Sequence, residues 1–466
     1  MSLLKVSRLR NSSVGLVVVI ALTALLSGIP AHAQKKDLLN AVGKGDLARV
    51  KALIAAKADV NARFDNGISL LMLASLNGQT KIVRALIDAG ADVNARNDHG
   101  DTALMGAVQF FHLEAVQALL TANADPNPRN KDGVTPVILA SHAGILEVVQ
   151  ALIAAKADVN AADNDGTTSL MTASQDGSAE IVEALIAAKA NVNASNKDGT
   201  TALMTASQTG TEEVVQALID AKADLNAKGA NGSTALICAS FGSPASFKSP
   251  WWLVRDVGVV QKLIAAKADV NVRDMLGSTA LMAASFSDRV DIARALIAGK
   301  ADINARNGGG TTALMVASFH GHTDVVQELI AAKADVSIAD GHGTTALMAA
   351  SQNGNLEAVE ALLAGKVDVN AKTDDGQTAL MLASESGNLG AVHALITTNA
   401  DVNPQDKDGL SPLMKASKFG HPEVVQALLN AKADVGAKSN NGKTALDLAG
   451  DRSDIKALLQ HASAKP

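Results

Sequence analysis

At 466 residues the chain is longer than a single compact domain usually runs. Its formal charge of −6 gives no bulk attraction to phosphate backbones, so general nucleic-acid binding is not expected. The one cysteine, Cys238, excludes an intramolecular disulfide, so stability must come from packing.

The first 33 residues stand apart. Lys5, Arg8 and Arg10 precede an apolar run from Val14 to Leu26, and Gly28, Pro30 and Ala31-His32-Ala33 follow it. This is the layout of a secretory signal peptide, and the run is shorter than the roughly 20 residues a helix needs to cross hydrocarbon. Cleavage is expected after Ala33. Gln34 follows where a lipoprotein would have cysteine. Loss of three basic residues would take the charge from −6 to −9. Residues 34–466 are expected to form a monomer in the periplasm, with secretion as the alternative. No later segment reads as membrane-spanning.

A glycine then recurs every 33 residues from Gly67 to Gly232 and again from Gly277 to Gly442, with a single gap of 45 between the two series. Each glycine opens a phrase such as Gly199-Thr-Thr-Ala-Leu-Met-Thr-Ala-Ser-Gln-Thr-Gly210, followed by Glu213-Val-Val-Gln-Ala-Leu-Ile-Asp-Ala-Lys-Ala-Asp-Leu-Asn226. A strict period of this length implies small units that shield one another's apolar faces. Asp-Gly and Asn-Gly pairs, as at Asp132-Gly133 and Asn441-Gly442, supply the positive φ of a turn. Thr102, Thr135, Thr168, Thr201, Thr234, Thr279, Thr312, Thr345, Thr378 and Thr444 stand where a hydroxyl caps a first helix. In the second helix Val214, Val215, Leu218 and Ile219 form a buried stripe.

With these residues in view, the sequence resembles the ankyrin family, whose Thr-Pro-Leu-His-x-Ala motif reads here mostly as Thr-Ala-Leu-Met-x-Ala. The resemblance covers about residues 37–461. It implies an all-α repeat solenoid of about thirteen units, from a turnless first (Asp37 to Arg63) to a shortened last (Gly442 to His461), with turn tips and first helices lining a concave face that binds partners.

Two departures recur. Methionine replaces the family histidine at Met72, Met105, Met171, Met204, Met282, Met315, Met348, Met381 and Met414. Soft sulfur suits copper(I), but a flexible apolar gap-filler between helices explains the column better. Lysine replaces the glycine that closes the second helix at Lys57, Lys156, Lys189, Lys222, Lys267, Lys300, Lys333, Lys366 and Lys432. A left-handed lysine costs about 1–2 kcal/mol, against about 0.3–1 kcal/mol returned by a cation at a helix C-terminus. An aspartate two residues on should cancel most of the lysine field, which argues against an anionic polymer ligand.

The period breaks once. About residues 242–255, within the unit beginning near residue 230, form an insert that contains Phe247 and both tryptophans, Trp251 and Trp252. Nine residues after each turn glycine stands a column that is largely polar, including Gln208 and Gln352, but holds Phe241, Phe286 and Phe319 in three consecutive units. These three are expected to face water as an apolar stripe that marks an interaction site. Three buried phenylalanines and a tryptophan would supply most of a micromolar affinity, about 8 kcal/mol. Alternatively, the tryptophans fold back onto the phenylalanines and seal the insert.

No nucleophile elbow, Walker-type loop or dinucleotide fingerprint occurs. His320-Gly-His322 with His342 is the nearest approach to a metal cluster, yet Gly-His is also common in ankyrin loops. No catalytic residue, metal or cofactor is expected. The sequence therefore reads as a non-enzymatic scaffold for a protein or peptide, contacting Phe241, Phe247, Trp251, Trp252, Phe286, Phe319, Gln208 and Gln352. The alternative is a binder of small ligands or cell-wall polymer with the insert as a lid.

Overall fold

A computed structural model describes residues 30–241 and 257–464. Residues 1–29 of the expected leader, and Phe247, Trp251 and Trp252 of the insert, lie outside the described residues. The described residues form twenty-six α-helices in thirteen consecutive pairs, from Pro30–Gly43 with Leu47–Ala55 to Ala445–Leu448 with Ser453–Ser463. The first helix begins ahead of Asp37, where the sequence pattern started. Among the described residues β-structure is limited to isolated bridges, Arg63 to Ser69, Ala162 to Thr168 and Ala339 to Thr345. The architecture is the all-α repeat array that the sequence implies, and none of the described helices is long and apolar enough to cross a membrane.

Two compact units divide the chain, Met1–Lys197 with Asp220–Ala223 and Asp198–Ile219 with Asp224–Pro466. The first holds pairs one to five, the second most of pairs six to thirteen. Within each, first helices pack on the first helices of neighbouring pairs.

Each helix pair forms for local reasons. Thr102, Thr168, Thr201, Thr279, Thr312, Thr345, Thr378 and Thr444 accept a hydrogen bond from the third backbone N–H of their first helix, and Thr234 accepts one from Ile237. Thr135 departs from expectation: it makes no cap bond and its buried hydroxyl has no partner. Pro136 opens that helix, but Pro412 opens one that Ser411 does cap, so the proline does not account for the difference. Ser69 and Ser411 cap in the same way as the threonines.

The methionine column is buried throughout, no member more than 4% exposed. Some of its sulfurs also face the cap: the N–H groups of Ser69, Thr345 and Ser411 point at Met72, Met348 and Met414 Sδ at 3.4, 3.4 and 3.5 Å. The column is thus absorbed by packing and capping. In the second helix Val214, Val215 and Leu218 are fully buried, while Ile219 is half-buried at the edge of the stripe.

Stacking is fixed by two ladders of hydrogen bonds between pairs. At the turn tips a backbone N–H donates to the preceding tip, as Asn164 to Asp132 O at 2.9 Å in the first unit and Met275 to Asn231 O at 2.9 Å in the second. Behind them an asparagine Oδ1 accepts from the next pair's backbone, as Asn127 from Asp158 N at 2.7 Å and Asn271 from Asp302 N at 2.8 Å. Across the 45-residue gap the same ladder continues, with Asp269 N donating to Asn226 Oδ1 at 2.9 Å. The added residues therefore leave the register of the stack unchanged.

The nine lysines that close second helices all adopt positive φ, between 58° and 72°. Gly90 occupies the same position in the second pair at φ 85°. Since the left-handed region strains a side chain that glycine lacks, Lys333→Gly is expected to stabilise the second unit by about 0.5–1 kcal/mol, the gain reduced by the freer unfolded chain. A raised urea midpoint at unchanged m-value is the expected readout. The aspartates two residues on have a structural use as well: Asp158 Oδ1 accepts from Asn160 N at 2.9 Å and Asp302 Oδ1 from Asn304 N at 3.1 Å.

Candidate partner-binding face

The nine-after-glycine column lies at or near the C-terminal end of each first helix, where the side chain has no following turn to cover it. In the second unit Phe241 is 43% exposed, Phe286 52% and Phe319 49%. Gln352 is exposed and Gln208 half-buried, so the column faces water on both sides of the phenylalanines.

The three rings are joined into one row. Phe241 and Phe286 meet edge to face with centroids 6.2 Å apart. Phe286 and Phe319 are bridged by His320, whose ring lies 4.8 Å from the first and 5.1 Å from the second, again edge to face. His322 stacks on His320 at 5.6 Å. Burial holds the His320 imidazole below the ordinary histidine value, and the charge of His322 beside it adds to the effect. At neutral pH His320 therefore acts as an uncharged fourth aromatic group.

The neighbouring pair anchors each ring from behind. Ser287 Oγ donates to the Phe241 carbonyl at 3.0 Å, His322 Nε2 to the Phe286 carbonyl at 3.1 Å, and Asn355 Nδ2 to the Phe319 carbonyl at 2.9 Å. These bonds satisfy carbonyls that a helix end leaves free, and they fix the rings on a rigid support. They also assign His322: its Nε2 is committed to a carbonyl and its Nδ1 sits 3.5 Å from Asp288. His112 and His421 make the same bond to Leu76 and Glu385 carbonyls at 3.0 and 2.9 Å. The histidine at this position ties one pair to the preceding one, and among the described residues no group of three or more His, Cys, Asp or Glu is placed to hold a metal.

Cys238, on the helix leading to Phe241, is half-buried, and burial pushes its thiol up to about 11. It stays protonated at neutral pH and is a poor nucleophile.

The structure also brings up residues that the column does not contain. Met275 and Leu276, at the turn tip of the eighth pair, are 76% and 75% exposed. Their tip is held on both sides, Met275 N donating to Asn231 O at 2.9 Å and Gly308 N to Leu276 O at 2.8 Å. The signal was present in the sequence: Leu276-Gly277 stands where most other turns have Asp-Gly or Asn-Gly and the rest His-Gly or Gly-Gly. Phe110 and Phe111 in the first unit and Phe419 in the second are exposed too, so exposed phenylalanine is not confined to the column.

The comparisons with known proteins agree with this architecture. A family model described as ankyrin repeats in three copies matches residues 38–130, 104–196, 170–248, 251–340, 334–406 and 390–466. No curated protein matches the chain. Matches that tile nearly every helix pair, on an all-α stack with this turn geometry, place the chain in the ankyrin repeat family, whose repeats are generally protein–protein interaction modules and typically non-enzymatic.

Proposed function

We propose that this chain is an exported, non-enzymatic scaffold that binds a protein or peptide partner on a concave face, through the first-helix ends and turn tips around Phe241, Phe286 and Phe319. The observation that carries the reading is the row of half-exposed rings, continuous through His320 and fixed from behind by the next pair. Exposed apolar groups on a rigid support cost solubility unless a partner covers them, and aromatic anchors dominate binding energy where they are buried on contact. Gln208 and Gln352 would flank the contact as its polar rim. Phe247, Trp251 and Trp252 follow Phe241 in the chain and would extend it. Export rests on the leader pattern of residues 1–33.

The test uses full-length protein expressed in a Gram-negative host and recovered from the periplasmic fraction, where its mature N-terminus should be Gln34. As bait, it should retain a partner from a periplasmic extract. Phe241→Ala, Phe286→Ala and Phe319→Ala together should weaken retention at least about 100-fold with far-UV CD unchanged, since each lost anchor removes about 1 kcal/mol or more. Retention at wild-type strength by the triple variant would refute the assigned face. An intact Met1 terminus on protein found only in the cytoplasm would refute export.

A further inference from the structure

We infer that the partner segment docking on the seventh to tenth pairs is an uncharged polypeptide stretch rich in aliphatic or aromatic side chains. This rests on the proposed reading of that face and adds the chemistry of what occupies it.

The inference comes from where charge is missing. From the two residues before each turn glycine to the end of the first helix, four consecutive pairs contain no Asp, Glu, Lys or Arg: residues 230–241, 275–286, 308–320 and 341–353. Every other turn-bearing pair carries at least one there, as at Asp98, Lys131, Asp165, Asp198, Asp375 and Lys407. The charge-free window coincides with the phenylalanine row, although turn tips and helix ends are separate positions in the repeat.

Four charges that border the window are held by backbone groups of the turns. Arg273 Nη1 donates to the Arg306 carbonyl at 2.6 Å, and Arg306 Nη2 to the Ala339 carbonyl at 2.8 Å. Asp274 Oδ1 accepts from Leu276 N and Ser278 N at 2.9 and 2.8 Å, and Asp340 Oδ1 from His342 N and Thr344 N at 2.8 and 2.9 Å. A charged partner group brought onto this face would lose hydration and find little opposite charge, since the exposed Asp288, two residues after Phe286, already lies 3.5 Å from His322 Nδ1, and this disfavours charged segments. An apolar segment meets Met275 and Leu276 on a tip pinned at both sides, so little ordering is needed on contact. Methionine at the tip also adapts to varied apolar shapes.

The experiment is selection of a phage-displayed library of random short peptides on the full-length chain. The expected result is that the enriched peptides lack charged residues in their shared core. Met275→Asp with Leu276→Asp should weaken the best of them about 30-fold, whereas Phe419→Ala, an exposed ring outside the window, should not. Enriched peptides with a shared acidic or basic residue, or a tip variant binding within about 3-fold of wild type, would overturn the inference while leaving the face itself intact. If no enriched peptide loses binding on the triple phenylalanine variant, the reading of the face falls along with the inference.

Discussion

Replacing Lys415 by leucine is expected to destabilise the second unit by about 3–5 kcal/mol, although leucine occupies the equivalent position at Leu73, Leu139 and Leu382. Lys415 is only 3% exposed. Its Nζ lies 2.8 Å from Glu385 Oε2 and 3.2 Å from Asp406 Oδ2, the latter carboxylate itself almost wholly buried. Asp406 cannot turn away to water, because its Oδ1 accepts from Asp408 N and Leu410 N at 3.0 and 2.9 Å and so holds the turn. Lys415→Leu thus leaves a buried carboxylate without its cation, beside a second one.

Neutralising the remaining partners should reverse the loss. Lys415→Leu with Glu385→Gln and Asp406→Asn keeps the turn acceptor and removes the stranded charge, so the triple variant should recover most of the lost stability. Urea unfolding of the single and triple variants checks both statements. A single variant within about 1 kcal/mol of wild type would show that the triad is solvated more than its burial indicates.

A second contrast separates two reasons for the same glycine. Gly442 at φ 73° has open space where a Cβ would go, so Gly442→Ala should cost only left-handed strain, about 1 kcal/mol. Gly133 at φ 76° would place its Cβ 2.7 Å from Asn164 N and 3.0 Å from Asp163 C, backbone atoms of the next tip. Gly133→Ala should therefore add overpacking to strain and cost about 3 kcal/mol. The same tip carries the bond from Asn164 N to Asp132 O, so the damage should also appear as faster amide exchange at Asn164. Equal losses at the two glycines would mean that the tips spread apart at little cost.

Much of this protein was legible before any coordinates. The 33-residue period, the turn glycines, the cap threonines and the second-helix stripe each follow from local chemistry, because a cap or a positive φ is set by residues a few positions apart. Copying one unit many times makes such local rules repeat until they are unmistakable. Water exposure of the phenylalanine column was readable for the same reason, since the polar residues elsewhere in the column report which way it faces. Thr135 shows the limit of the rule: a cap residue at the correct position need not cap, whereas Ser411 caps a helix that likewise opens on proline.

Contacts between units were the part hidden from sequence. That His322 ties to Phe286, that His320 fills the space between two rings, and that Lys415 reaches Glu385 all depend on how one pair lies on the next, 30 to 36 residues away. The Gly-His pair could be read from sequence as a common loop feature, but its carbonyl partner appears only when the pairs stack. Sequence alone thus determined the repeating unit, because that unit is made by neighbours along the chain. Only the tertiary structure decided which side chains of successive units meet, because register between stacked helices is fixed by packing and by bonds that cross from one unit to the next.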